Sequence, residues 1–282
     1  MKVALICCGR LENRYAIEFI EYYKQLGFDH IYVMDNNHDN EEHFEDVLQS
    51  YVNDNFITIY DYRNIDAVQW EGYKEIYYKI SDKYDYVFFC DFDEFLTLVK
   101  DNNIKDYLSR ECFKDYNQIL INWKLYSDNN LIYDDGRGCL ERFTTESKYL
   151  GWKTGLVKQI IKTNIKDIYL PHTVHIFRDK NLILEDSSCN NCGEKIELHD
   201  SGCIWPTYEL AYIKHFTTKT IDEYVNRKLK RGTADISYEL FNQLFNKDDL
   251  FSGFFEINDI TEEKINYLNK HNLKYKNFNT QK

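Results

Sequence analysis

Residues 86–95 read Tyr-Val-Phe-Phe-Cys-Asp-Phe-Asp-Glu-Phe, an apolar, β-prone run that drives straight into two acids one residue apart. Side chains of a strand alternate faces, so Asp91 and Asp93 are expected to share one face while Phe92 turns back toward the core. Two carboxylates crowded at the end of a buried strand repel each other unless a cation sits between them. Mg²⁺ and Mn²⁺ want such oxygen ligands and usually share them with substrate phosphates. The stretch therefore predicts a strand whose tip holds a divalent metal. The plainer reading, a solvated strand end or turn, fits poorly with the long apolar run before it.

The preceding chain alternates between strand and helix. Lys2 to Cys8 reads as a buried strand and Gly9-Arg10-Leu11-Glu12 as its loop. Ala16, Ile17, Ile20, Tyr23 and Leu26 recur at helical spacing behind Asn13 as a cap, and Gly27 stops that helix. Phe28 to Met34 is a second strand, ending in Asp35-Asn36-Asn37. Helix around Glu41 to Val52 leads to strand Phe56 to Tyr60. Asp66 to Gln69 has the form of a capping box for a helix to about Lys79. Such alternation argues for an α/β fold with a mostly parallel sheet. Ligands of such sheets lie beyond the carboxyl ends of the strands, where the Glu12 loop, Asp35-Asn36 and Asp91-Asp93 all fall.

Beyond Asn103 to Phe113, a helix, and Gln118 to Tyr126, a strand, the pattern changes. Lys153 to Lys162, Ile168 to Phe177 and Glu209 to Phe216 read as strands, less clearly parallel. Thr220 to Arg231 reads as a helix stopped by Gly232, and Tyr238 to Phe251 and Thr261 to Leu268 as further helices. Residues 1–240 are expected to form one domain and 241–282 a helical extension.

The charge count is 35 Lys+Arg against 47 Asp+Glu, with no long basic tract, which argues against nucleic-acid binding. No apolar run approaches the roughly 20 residues of a membrane span. The first residues read as a strand rather than a signal peptide, and eight cysteines without a secretory signal point to a reducing compartment. A cytoplasmic protein is expected, with peripheral contact at the inner face of a membrane left open.

The ordered motifs resemble GT-A-fold glycosyltransferases of family 2 and family 92 (DUF23-like). The likeness rests on Glu12 with Tyr15 and Glu18-Phe19-Ile20, then Leu26-Gly27-Phe28-Asp29-His30 and Asp35-Asn36. It continues through Asp91-Phe92-Asp93-Glu94-Phe95, Asn122-Trp123, Glu141-Arg142-Phe143 and Lys158-Gln159-Ile160-Ile161. It closes on His215-Phe216-Thr217-Thr218-Lys219-Thr220 and Lys228-Leu229-Lys230-Arg231-Gly232. It spans roughly residues 3 to 232. Arg10-Leu11 departs from the family's Lys-Asn before Glu12, and Cys189 to Cys203 has no counterpart in it.

The resemblance implies a Rossmann-like nucleotide-binding half with a mixed acceptor-binding half. It implies transfer of a hexose from a UDP-sugar to a hydroxyl of a glycan or lipid-linked acceptor, with inversion, as in polysaccharide biosynthesis. Mn²⁺ or Mg²⁺ would sit on Asp91 and Asp93, with His215 completing the shell as a neutral imidazole. A histidine satisfied within the core is the other reading of His215. Lys219, Lys228 and Arg231 would clamp the diphosphate, unless they only solvate a helix face. Glu12, Asp35 and Asn36 would meet the nucleoside; turn and cap chemistry is their alternative. Gln69 is a cap that can double as a donor contact. Glu94 is expected to point away and fix local structure. Inversion needs a carboxylate to take the acceptor proton, and Asp128 and Glu141 are the candidates, with Asp179, Glu185, Asp186 and Glu209 behind them. Trp123, Trp152 and Trp205 are candidate sugar platforms, Trp70 or Tyr73 candidate base platforms, each against plain core packing. Cys189-x-x-Cys192 with His199 and Cys203 approaches zinc-ligand spacing without matching a known pattern. Two other classes compete. One is a non-catalytic nucleotide-sugar-binding module. The other, a metal-dependent phosphoryl or nucleotidyl transferase, ordinarily carries a Gly-rich loop that is missing here.

Overall fold

The computed structural model describes residues 1–147, 155–166, 168–169, 178–179, 187–196, 204–228, 232, 239 and 261–273. The expected Lys153–Lys162 and Ile168–Phe177 strands lie partly outside these residues. The Tyr238–Phe251 helix lies outside them almost wholly, and Trp152, Glu185, Asp186, His199, Cys203, Lys230 and Arg231 lie outside them.

Strands β1 (Val3–Gly9), β2 (His30–Asp35), β3 (Ile57–Asp61) and β4 (Tyr86–Asp91) form a parallel block in the order β3-β2-β1-β4. Helices α1 (Asn13–Gln25), α2 (Glu45–Asn53) and α3 (Gln69–Ile80) connect them. Alternation along β1 splits the core in two. Val3, Leu5 and Cys7 pack with Tyr15, Phe19, Tyr23 and Leu48 of α1 and α2, whereas Ala4, Ile6 and Cys8 pack with Tyr73, Ile76 and Tyr77 of α3. Gly27 follows α1 at φ +93, the left-handed stop expected of it.

The sheet then turns mixed. It continues through β7 (Val157–Lys162), β6 (Gln118–Leu125), β11 (Ala211–His215) and β5 (Glu94–Leu98), and β10 (Ser188–Asn190) adds to β6. β7 runs antiparallel to both β4 and β6, and β5 antiparallel to β11. β8 (Ile168–Tyr169) and β9 (Arg178–Asp179) pair apart from this sheet. A parallel half and a mixed half in one sheet is the α/β architecture expected. Helices α4 (Ile104–Leu108), α5 (Cys139–Arg142), α6 (Ile221–Glu223) and α7 (Glu262–Lys270) complete the described elements, with α6 widening into a π turn over Tyr224–Lys228. Among the described residues no helix is long and apolar enough to cross a membrane.

Two local expectations are corrected. β4 stops at Asp91, Phe92-Asp93 is a turn, and β5 starts at Glu94. The period-two rule therefore does not carry from Asp91 to Asp93. Phe92 does turn inward, its ring stacked 4.7 Å from that of Phe44. The capping box at Asp66–Gln69 is not formed: Val68 is the N-cap of α3, with no side-chain cap, and Ala67 takes φ +53.

Candidate active site

Parallel register sets Gly9 beside Asp35 and Cys8 beside Asp91, so three strand ends converge at one edge of the sheet. β11 ends there too, with His215 opposite Glu94 across the antiparallel pair. The carboxylates of Asp93 and Glu94 and a ring nitrogen of His215 lie within 4.8 Å of one another, and all three residues are buried. His215 Nε2 is 3.6 Å from Asp93 Oδ1 and 4.0 Å from Glu94 Oε1. Burial pushes the imidazole down to about 3, against the pull of Asp93, so it is neutral at pH 7. Its ring packs 4.2 Å from Trp123, which is buried and makes no surface platform.

Asp91 is engaged elsewhere. Its Oδ2 accepts from Lys158 Nζ at 2.8 Å, and its Oδ1 accepts from Gln69 Nε2 and, at 3.2 Å, from Tyr73 Oη. Its backbone N–H donates to Glu94 Oε2 at 2.9 Å, and Lys158 Nζ stands 3.4 Å from that same oxygen. Burial would lower the Lys158 ammonium, but Asp91 and Glu94 hold it above the ordinary lysine range. Burial raises Glu94 well above the usual carboxylate range; Lys158 opposes that rise and Asp91 and Asp93 add to it. Glu94 was expected to point away, and it does not. It is fully buried inside the acid group, and Gln69 serves Asp91 rather than the helix end.

The residues present fit a divalent cation. Glu94 Oε1 is a buried acceptor with no hydrogen-bond donor among the described residues. A buried carboxylate oxygen in that condition is costly unless a cation meets it. The two hard carboxylate oxygens suit Mn²⁺ or Mg²⁺, and a neutral imidazole beside them favours the transition metal of the two.

A second cluster lies where the Glu12 loop meets α6. Glu12 Oε2 accepts from Lys219 Nζ at 2.8 Å, and Glu12 Oε1 from Arg227 Nη2. Thr220 and Glu223 form a capping box that starts α6, and Lys219 before it takes φ +55. The Lys219 ammonium lies 4.3 Å from the centre of the Tyr15 ring, whose hydroxyl bonds Glu223 and Arg142. Burial, then Arg227, lowers Lys219, while Arg227 is raised by Glu12 and Glu223 against its own burial. Glu12 and Lys219 thus meet each other. Lys228 is half-buried, near enough to weigh against protonation of His215.

The other candidates are engaged with partners of their own or stand exposed. Asp35 is fully buried, bonded to Asn37 and to Arg63 at 3.1 Å, and Asn36 Nδ2 donates to the carbonyls of Tyr62 and Ile65. Both do the turn chemistry that was their alternative reading. Asp128 is fully buried with Oδ2 2.7 Å from Lys264 Nζ, which is not the setting of an acid open to an acceptor. Glu141 and Glu209 are exposed, with Glu141 3.4 Å from Arg137. Tyr73 is core and Trp205 is 70% exposed. Cys189 is buried against the Gln118 carbonyl and Cys192 sits beside Thr207; no group of metal-ligating side chains among the described residues includes a cysteine. The residues sequence reasoning left out of the site are Lys158 and Arg227, and Glu94 was given only a local structural role. Lys158 did carry a signal: it is a lone charge in the apolar run Val157-Lys158-Gln159-Ile160-Ile161.

A family model described as Glycosyltransferase family 92 matches residues 6–231. No curated protein matches. Among solved structures, Staphylococcus aureus TarS aligns with a TM-score of 0.43 at 14% identity, over 94% of this chain and 46% of that one. TarS 1–349 aligns with a TM-score of 0.42 at 15% identity, over 95% and 78%. TarS 1–349 in complex with UDP-GlcNAc aligns with a TM-score of 0.39 at 14% identity, over 58% and 46%. This chain spans about half the length of the UDP and UDP-GlcNAc complexes, 48% and 46%. Likenesses this distant assign no substrate.

Proposed function

Because the chain belongs to glycosyltransferase family 92, we propose that it moves a hexose from a UDP-sugar to a hydroxyl of a glycan or lipid-linked acceptor, with inversion. The observation that carries this reading is the buried group Asp93, Glu94 and His215 at the carboxyl edge of the sheet. These three would hold Mn²⁺ or Mg²⁺. When bound, the metal supplies a Lewis acid for the charge on the departing nucleoside diphosphate. His215 offers a lone pair at neutral pH because burial keeps it deprotonated. Arg227 has two buried guanidinium nitrogens, Nε and Nη1, without hydrogen-bond acceptors among the described residues. With Lys228 it supplies the positive wall a diphosphate calls for. Lys219 acts through Glu12, which it fixes beside Arg227.

Direct displacement needs a base at the acceptor hydroxyl. Asp128 is committed to Lys264, and Glu141 stands exposed beside Arg137, so neither is assigned that role.

The test is calorimetry of UDP binding with and without Mn²⁺, followed by slow donor hydrolysis over a panel of UDP-sugars. Mn²⁺-dependent binding and turnover of at least one donor are expected. Asp93→Ala and His215→Ala should each remove the Mn²⁺ dependence while leaving the fold intact. Failure to bind UDP or hydrolyse any donor with Mn²⁺ present would end the proposal. Binding without turnover would instead favour a non-catalytic module.

A further inference from the structure

Lys158 is a buried lysine, its side chain 3% exposed, at the centre of the acid group. It reaches Asp91 Oδ2 at 2.8 Å and Glu94 Oε2 at 3.4 Å. Gln69 and Tyr73 hold the other Asp91 oxygen, and the Asp91 backbone N–H holds the same Glu94 oxygen that faces Lys158. The oxygen of Glu94 turned away from Lys158, Oε1, is the one on the side of His215. The lysine thus divides three neighbouring acids. Asp91 and one oxygen of Glu94 belong to it; Asp93 and the other oxygen of Glu94 remain with His215.

We propose that Lys158 is a positioning residue for the metal. It draws Asp91 out of the metal shell, turns Glu94 Oε1 toward His215, and lowers the charge of the site so that the cation is bound moderately rather than trapped. An ammonium this close to two ligand-bearing residues opposes a dication electrostatically. The sum of charge on Asp91, Asp93, Glu94 and Lys158 decides how strongly the ion is held. The inference rests on the metal reading given under Proposed function, and adds to it that Asp91 is a partner of Lys158 and not a ligand.

Titration of full-length protein with Mn²⁺, followed by calorimetry and by the electron paramagnetic resonance signal of free Mn²⁺, tests this without any turnover. Lys158→Met adds one unit of negative charge and takes the ammonium away from Asp91 Oδ2, while Gln69 and Tyr73 still hold Oδ1. It should bind Mn²⁺ about tenfold or more tightly than wild type, while donor hydrolysis falls. A lysine that only supported the fold would weaken both. Lys158→Met with Asp91→Asn restores the charge sum and the buried packing, and should return Mn²⁺ affinity to within about threefold of wild type on the same argument. Asp91→Asn alone leaves Lys158 with only Glu94 as carboxylate partner, makes the site one unit more positive, and should bind the metal more weakly. If wild type binds no Mn²⁺, the metal reading itself fails. If wild type binds it but Lys158→Met binds no more tightly, the positioning role is overturned. A double variant that stays as weak as Asp91→Asn overturns it too, since Asp91 would then be a ligand. Should Lys158→Met fail to fold, the charge-balanced double variant and Asp91→Asn still decide.

Discussion

His215 is a histidine whose charge state the surrounding residues settle. Its ordinary range lies near 6.5, and burial lowers it to about 3. Between those values the unfolded chain binds a proton that the folded chain refuses, so stability rises with pH across that window. The contribution is complete above about 6.5 and is lost as pH falls toward 3. Each unit of that fall costs about 1.4 kcal/mol. Glu94 is shifted upward and acts in the opposite sense: the stability it adds is present near and below the ordinary carboxylate range and disappears as pH rises through its raised value. The two slopes oppose, so wild type alone does not isolate either. His215→Gln does. In chelator-treated protein unfolded by urea at several pH values from about 4 to 6, the stability difference between wild type and His215→Gln should change by about 1.4 kcal/mol per pH unit. Parallel stability curves would mean that the imidazole is solvated after all. At this scale the sequence was a guide to one grouping and a poor guide to pairings. Asp93 and His215 were legible as one group. That Glu12 would take Lys219, and Asp91 Lys158, was not, because such pairings depend on which strand ends become neighbours.

The turn between β4 and β5 is the element that places Asp93, and a glycine makes room for it. A Cβ on Gly9 would stand 2.5 Å from Phe92 Cδ2 and 2.8 Å from Phe44 Cζ. Such distances force a shift of the stacked Phe92 and Phe44 rings, and overpacking of that kind costs about 1–3 kcal/mol. Gly9→Ala should therefore lower urea stability by that amount and weaken Mn²⁺ binding, since Phe92 directly precedes Asp93. Adding Phe92→Leu removes much of the clash. The two substitutions should then be less damaging together than their sum, as residues in contact usually are. Additive costs would show that Phe92 does not sit against Gly9. The four parallel strands and their helices were legible because apolar spacing of 2 and 3.6 is strong there. The break at Phe92 was legible only as an alternative, since a turn was the plainer reading of the twin acids and Phe-Asp-Glu-Phe reads equally as a continuing strand. The turn follows from β5 pairing with β11, a contact between distant stretches that local spacing cannot report. Gln69 misled for a related reason. Its position resembles a capping residue, yet its amide goes to the half-buried Asp91 and not to the helix end.

Across the whole molecule, α7 packs on α6 and on the loop after β6. It begins beyond residue 231, where the family match stops. Thr261 caps it, and one face packs Tyr267 and Leu268 against Ile132, Ile221, Tyr224 and Val225. Tyr267 Oη donates to Asp222 at 2.7 Å. Lys264 Nζ reaches Asp128 Oδ2 at 2.7 Å and Asn130 Oδ1 at 2.8 Å, and both charged side chains are fully buried. The loop it grips turns through Asn129 and Asn130 at φ +48 and +61, and its Ile132 carbonyl accepts from the Asp222 N–H in α6. One path of contacts therefore runs from α7 through the loop after β6 to α6 and the arginine on Glu12. We propose on these grounds that the expected extension is part of the catalytic unit, not an appendage. Sequence reasoning divided the chain near residue 240 because no motif of the family resemblance extends past that point, and a lysine's burial depends on a partner far away in sequence. Removing one member of a buried pair is costly because the other is left charged in the interior, about 3–5 kcal/mol. Lys264→Met should lose that much in urea unfolding of the full chain. Lys264→Met with Asp128→Asn leaves no buried charge and should recover most of it, with the donor hydrolysis that Asp128 would abolish if it were the base still present. A single variant costing less than about 1 kcal/mol would match a solvent-exposed pair instead, and α7 would then be dispensable to the site.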